Sequence, residues 1–177
     1  MDVLVVVDMQ NDFVSGALGT AEAREIVPDV VGRVADGVSR GEEILFTRDT
    51  HGPDYLDTQE GRRLPVAHCI RGTEGWEIIS QLQAYTRGRQ VLDKPTFGSR
   101  TLGEALAALH RRGPVEKITF IGLCTDICVI SNALLAKAFL PEAEIAVDAR
   151  CCAGVTSESH RNALAAMQVC QITVENG

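Results

Sequence analysis

Ile118-Thr119-Phe120-Ile121-Gly122-Leu123-Cys124-Thr125-Asp126-Ile127-Cys128-Val129 passes from a strand pattern to a helical one within a few residues. Ile118 to Leu123 is a short apolar run that ends in a polar turn. From Cys128 to Phe139 the pattern is apolar, Ala-rich and helical. A thiol at the start of a helix lies at the positive end of its dipole, where unpaired backbone N–H groups stabilise an anion. Cys128 is therefore a candidate thiolate nucleophile, the alternative being a small buried core residue.

The same strand-then-helix unit recurs on both sides of this stretch. Val3–Val7 reads as a buried strand, followed by an amphipathic helix from about Thr20 to Ser39 in which Pro28 is an anomaly. Ile44–Thr47 is a second strand. Residues 52–73 form a long polar, Gly- and Pro-containing loop of the kind that carries function or disorder. A short helix near Trp76–Gln83, with Trp76 in the core, precedes a strand around Gln90–Asp93. Ser99–Arg112 is helical, with Ser99 or Thr101 as cap and Gly113-Pro114 as stop. After strand Ile118–Ile121 and helix Cys128–Phe139 come strand Ile145–Val147, helix Ser157–Gln168 and strand Gln171–Val174. Continuous apolar strands alternating with helices imply a mainly parallel sheet covered on both faces. With right-handed crossovers this is a three-layer α/β/α Rossmann-like sandwich, one domain over residues 1–177.

Composition narrows the function. A net charge of −7 excludes a general nucleic-acid or anionic-membrane surface. The run Val3–Val7 is too short to span a membrane and has no signal-peptide layout, so the cytoplasm is the expected location. The six cysteines lie largely in apolar runs, which favours reduced thiols over a disulfide framework. No Walker loop or GxGxxG follows a strand, so no nucleotide cofactor is expected, and no G-x-S-x-G elbow supports a serine hydrolase.

Ligands of open α/β sheets sit beyond the C-terminal strand ends. Asp8 ends the first strand, Asp49 and His51 follow the second, Asp93 and Lys94 the third, and Cys128 lies just beyond the fourth. A thiol with a pKa near ~8.5 needs activation at neutral pH. A lysine ammonium and a helix start would favour the thiolate, and a desolvated, more basic Asp8 could take its proton. The other reading makes Asp8 and Lys94 a structural ion pair. Asp49, His51 and His68 can form a three-ligand site for a divalent metal, with Glu60 as a further oxygen. Phe13 either stacks on a planar substrate or staples its loop. His110 and His160 read as solvated helix residues.

Together these motifs resemble the isochorismatase-like cysteine hydrolases, and within them the nicotinamidase-related amidohydrolases. The resemblance is carried nearly end to end by Val5-Val6-Val7-Asp8-Met9-Gln10-Asn11-Asp12-Phe13, Thr47-Arg48-Asp49-Thr50-His51, Leu64-Pro65-Val66-Ala67-His68-Cys69, Lys94-Pro95-Thr96-Phe97 and Gly122–Val129. It implies a catalytic triad of Asp8, Lys94 and Cys128. It also implies an oxyanion hole from the backbone N–H groups of Cys124 and Cys128, with a cis peptide before residue 124. It further implies a divalent metal, zinc first and manganese or iron as alternatives, at Asp49, His51 and His68, with Glu60 added in some members. Phe13 matches a substrate-packing aromatic, and self-association into a homo-oligomer is common in the family.

Two positions depart from the nicotinamidases. Leu64-Pro65 stands where an aromatic often precedes the last metal histidine, and Ile127 where an aromatic or histidine often precedes the cysteine. The expected activity is ammonia release from a small planar amide through a thioester. The alternatives are a metal-independent carbamoyl or ureido amidase, an isochorismatase-type vinyl-ether hydrolase, and a non-enzymatic binding or thiol-redox module using Cys124–Cys128 or Cys151–Cys152.

Overall fold

The computed structural model describes residues Met1–Gly177. Strand β1 (Asp2–Val7) is followed by helices α1 (Asn11–Val14), α2 (Ala21–Glu25) and α3 (Val27–Arg40), then β2 (Glu43–Asp49). Helices α4 (Gln59–Arg63) and α5 (Ser80–Thr86) lead to β3 (Val91–Lys94), α6 (Arg100–Arg112) and β4 (Lys117–Leu123). A π-helical turn, Thr125–Val129, runs into α7 (Ile130–Phe139), and β5 (Glu144–Ala153), α8 (Ser157–Val169) and β6 (Thr173–Glu175) complete the chain.

The six strands form one sheet in the order β3-β2-β1-β4-β5-β6, and every pairing is parallel. The chain winds outward from β1 to β3, then crosses back to β4 and winds the other way. The β1/β4 boundary is thus the topological switch point, where the loops diverge and leave a crevice. Asp8 and Cys128 both follow strands at that boundary.

Strand alternation divides the interior into two cores. Val3, Val5 and Val7 face one cluster with the buried faces of α6 and α7, while Leu4 and Val6 face another with α3 and α5. In β5 the parity changes: Ile145 and Val147 share the first core with Cys152, whereas Cys151 and Ala153 belong to the second. The cause is a bulge, since β5 advances from Val147 to Cys152 while β4 advances only from Phe120 to Gly122. Gly122 itself has φ +113, and a Cβ there would meet the Val7 carbonyl oxygen at 2.1 Å. Only glycine lets β4 lie this close to β1 just before the turn that carries Cys128.

Several elements differ from the pattern-based expectation. The helix expected over Thr20–Ser39 is two helices that break at Ile26, and Pro28 occupies the first turn of α3, where its missing N–H costs nothing. Trp76 ends a 3₁₀ turn, Glu74–Trp76, and the following helix starts only at Ser80. Trp76 is half-buried rather than core, because the Arg48 guanidinium lies 3.3 Å from its ring centre and its indole N–H donates to Thr50 Oγ1. The 52–73 loop contains a 3₁₀ turn, Tyr55–Asp57, and α4. Strand β3 extends to Lys94, β5 runs to Ala153, and β6 begins only at Thr173. No helix is long and apolar enough to cross a membrane.

Candidate active site

Lys94 ends β3, a four-residue edge strand paired only with β2, yet its side chain is 1% exposed. Its Nζ lies 2.7 Å from Asp8 Oδ2, 3.3 Å from Cys128 Sγ and 3.4 Å from Asp49 Oδ1, and donates to the Thr96 carbonyl at 3.2 Å. Asp8 is fully buried at φ +48, a left-handed conformation that aspartate tolerates better than most residues. That conformation turns the chain out of β1 and aims the carboxylate into the crevice. Thr47 Oγ1 donates to Asp8 Oδ1 at 2.7 Å, and Oδ2 faces the Lys94 ammonium that also contacts the thiol.

Burial, opposed by the Lys94 charge, raises the Asp8 pKa above the ordinary carboxylate range. Burial is also the main cause that pushes the Cys128 thiol well above its usual value, with Asp8 adding to it and Lys94 opposing it. Burial works against the Lys94 charge too, but the carboxylates of Asp8 and Asp49 more than offset it and keep the ammonium above its ordinary pKa. The resting thiol is therefore protonated. The helix start does not produce a standing thiolate, because Cys128 is buried inside the π-helical turn and the one ammonium already faces two carboxylates. Anion formation has to be coupled to proton uptake by Asp8. The Leu123–Cys124 peptide is cis.

Next to this cluster, one ligand atom each from Asp49, His51 and His68 lies within 4.8 Å of the others. Asp49 Oδ2 is 3.0 Å from His51 Nε2 and 3.6 Å from His68 Nε2. His68 Nδ1 faces the Val66 carbonyl at 2.8 Å, and a proton there leaves Nε2 free to bind a metal. Although buried, Asp49 is held well below the ordinary carboxylate range by hydrogen bonds from His51 and His68 and by Lys94. An ionised carboxylate beside two converging imidazole nitrogens is a donor set that fits a divalent metal of the zinc type. Glu60 Oε1 stands at 3.8 and 4.0 Å from the two imidazole nitrogens, facing the same space from α4.

A cavity of about 610 Å³ opens from Cys128, Cys124, Asp49 and His68 toward the surface. Phe13 lines it, its ring centre 5.6 Å from that of His68. The expected triad, metal-facing residues and Phe13 therefore meet in one place, whereas Asp93, also at a strand end, pairs with Arg48 on the opposite sheet face. His110 is exposed at the end of α6, as expected. His160 instead is half-buried, with Nδ1 2.8 Å from Thr125 Oγ1 in the π-helical turn, and burial lowers its pKa. All six cysteines are free; Cys151 and Cys152 point into opposite cores, so the adjacent pair cannot bridge without unfolding β5.

The structure adds positioning residues that sequence reasoning missed. The buried Gln10 amide donates to the Asp49 carbonyl at 2.9 Å and the Trp76 carbonyl at 2.8 Å, while its oxygen accepts from the Asp49 N–H at 2.7 Å. It pairs with the Asp49 backbone as a neighbouring strand would. Asp12 accepts from the Cys69 N–H at 2.8 Å, beside His68. Asn132, buried on α7, accepts from the Ser99 N–H and donates to the carbonyls of Cys128 at 2.7 Å and Phe97 at 3.0 Å. Arg48 and Asp93 pair at 2.8 Å across β2 and β3, one position before Asp49 and Lys94 and on the opposite sheet face. The polar run Gln10-Asn11-Asp12 directly after a buried strand was a readable signal for the first two; nothing local marked Asn132.

An isochorismatase-domain family model matches residues 2–176. Among solved structures, the nicotinamidase/pyrazinamidase from Bacillus subtilis is 26% identical with a TM-score of 0.86, covering 99% of both chains. The pyrazinamidase of Pyrococcus horikoshii, solved in complex with zinc, is 27% identical with a TM-score of 0.83, over 98% of this chain and 97% of that one. The N-carbamoylsarcosine amidase from Thermoplasma acidophilum is 28% identical with a TM-score of 0.81, over 98% and 95%. Relatives named for different amides are thus about equally similar in backbone, so substrate choice resides in side chains around the cavity.

Proposed function

The chain belongs to the isochorismatase family, hydrolases that here act on amide C–N bonds, and on that premise we propose that it releases ammonia from a carboxamide through a thioester on Cys128. The reading rests above all on one observation, the buried Lys94 ammonium in contact with Asp8, Asp49 and Cys128 at once. Moving the thiol proton to Asp8 replaces carboxylate and thiol by carboxyl and thiolate. The net charge of the buried cluster is unchanged, so the step avoids the desolvation cost of a new charge. Lys94 stays protonated throughout and faces the anion on either side of the transfer.

The thiolate sulfur then attacks the amide carbon, and the carbonyl oxygen becomes an oxyanion held by the backbone N–H groups of Cys124 and Cys128. Each such donor is commonly worth about 2.7–4 kcal/mol. As the C–N bond breaks, Asp8 gives its proton to the leaving nitrogen, which departs as ammonia. Water attacks the thioester while Asp8 accepts its proton, the C–S bond breaks, and the proton returns to sulfur. One water is consumed, and ammonia and a carboxylic acid are released. Phe13 forms a wall against which a planar group beside the amide can lie.

Asp49, His51 and His68, with Glu60 beside them, would hold a divalent metal, zinc first by donor chemistry. When bound it supplies a Lewis acid that orients substrate or water. The discriminating experiment measures ammonia release from a panel of primary amides with wild type, Cys128→Ala and Asp8→Asn. Release should disappear in the first variant and fall by about 10²–10⁴-fold in the second. Full release from Cys128→Ala on every substrate of the wild type would remove the thioester mechanism.

A further inference from the structure

Three of the protein's exposed large apolar side chains converge on one opening. Leu64 is 39% exposed, Phe97 46% and Val155 52%, and all three line the mouth of the cavity above Cys128. They come from three separate loops, after α4, β3 and β5. Isolated exposed apolar residues are ordinary, but three gathered around a cavity continuous with a nucleophile are not scatter. Deeper in the cavity, Phe13, Leu18 and Ile127 continue the apolar lining. Apart from the residues at the floor, charged groups come only from α4, as Glu60 and Arg63.

The three mouth residues are also held by their backbones. Tyr55 donates its hydroxyl to the Leu64 carbonyl at 3.0 Å. The Phe97 carbonyl accepts from Asn132, the same buried amide that binds the Cys128 carbonyl. The Val155 N–H donates to the Asp126 carboxylate at 3.2 Å, and Asp126 lies within the turn that carries Cys128. Phe97 and Val155 are thus tied to the nucleophile's own turn and Leu64 to the buried Tyr55, so the rim is organised before any ligand arrives. A cavity of about 610 Å³ falls within the ~300–1,000 Å³ of sites that enclose ligands of drug size.

We infer that the amide cleaved here carries an apolar body larger than a single ring, seated at the mouth by Leu64, Phe97 and Val155, with its carboxamide on the floor at Cys128. The inference rests on the amidase reading and deepens it. The departures at Leu64 and Ile127 then have a role, since aliphatic side chains line a wide slot where aromatic ones would narrow it.

The test compares nicotinamide and benzamide with 2-naphthamide and biphenyl-4-carboxamide. Wild type is read by ammonia release, and Cys128→Ala by calorimetric binding. The larger amides should show kcat/KM and affinity at least about tenfold higher than the single-ring ones. In Phe97→Ser and Leu64→Ser the ratio of large to small should fall toward one, with thermal unfolding confirming that these variants fold. Ammonia release with equal or better use of single-ring amides overturns the inference and leaves the amidase reading standing. No release from any amide, even where the larger ones bind tighter, overturns the amidase reading and the inferred substrate with it. A change in sedimentation of Phe97→Ser with no change in the ratio gives the rim to a second copy of the chain and also overturns the inference.

Discussion

Lys94 and Lys117 stand at opposite rims of one sheet and make the same kind of contact in different solvents. Lys94 ends β3 at the crevice, 1% exposed, against Asp8 and Asp49. Lys117 begins β4 at the other rim, 29% exposed, against Glu144 and Glu175. Both ammonium groups are held above their ordinary pKa, but from different balances. For Lys117 the hydrogen bond with Glu175 leads and outweighs burial, whereas for Lys94 burial is the largest single influence and the ammonium keeps its charge only because carboxylates surround it. A hydrated pair contributes little whichever partner is lost, while a buried pair turns costly once one partner is removed. That asymmetry is what makes the crevice cluster usable for proton transfer and the opposite rim merely tidy.

The sharpest way to break the comparison is to remove each lysine. Lys94→Met should cost about 3–5 kcal/mol of unfolding free energy, because Asp8 and Asp49 remain buried without their cation. Lys117→Met should cost no more than about 1 kcal/mol. Denaturant unfolding of both variants checks this, and adding Asp8→Asn to Lys94→Met should recover part of the loss. Equal losses for the two lysines would mean that burial does not set their roles.

Removing a metal-facing nitrogen is the next largest effect. His68→Gln should retain divalent zinc at least about tenfold less tightly than wild type in equilibrium dialysis followed by elemental analysis. Tight stoichiometric zinc in this variant would exclude His68 as a ligand.

Asp93→Asn tests whether the far sheet face places Lys94. Losing the charge that anchors Arg48 and Arg71 at 2.8 Å should loosen the end of the edge strand. The expected result is a fall in kcat of about 10–100-fold with KM little changed, and partial rescue by Asp93→Glu. An equal rise in KM with kcat intact would assign Asp93 to substrate binding instead.

The smallest effect is the pH dependence of the hydrated lysine. Its pKa is raised on folding, so its contribution is complete below the ordinary 10.5 and is lost as pH climbs through the higher folded value. Wild type should therefore lose stability on that alkaline limb slightly more steeply than Lys117→Met. Parallel curves would show that Glu144 and Glu175 do not hold the ammonium in solution.

Much of this site was legible as a set of residue types at strand ends. Asp8 after the apolar run Val3–Val7, Asp49 and His51 after Ile44–Thr47, and Cys128 after a β-branched run all follow from apolar periodicity and the parallel-sheet rule. Pro28 signalled trouble in a single long helix, and the structure resolves it as a helix start. Trp76 was misread because an aromatic at helical spacing suggests core, whereas a guanidinium stacked on its face lets it stay half-buried. Asn132 and the Arg48–Asp93 pair contact partners distant in the chain, so no local spacing could reveal them, and the polar run after β1 marked Gln10 without showing what it holds.

The sequence by itself determined the α/β class, the strand-then-helix order and the family motifs. Those depend on local periodicity and on residue types that need no partner to be read. Tertiary structure alone decided that Cys128 rests as a thiol, that one ammonium serves three groups, and that Leu64, Phe97 and Val155 share a rim. Desolvation and charge interaction depend on which distant residues exclude water from one another, and only the packed fold brings them together.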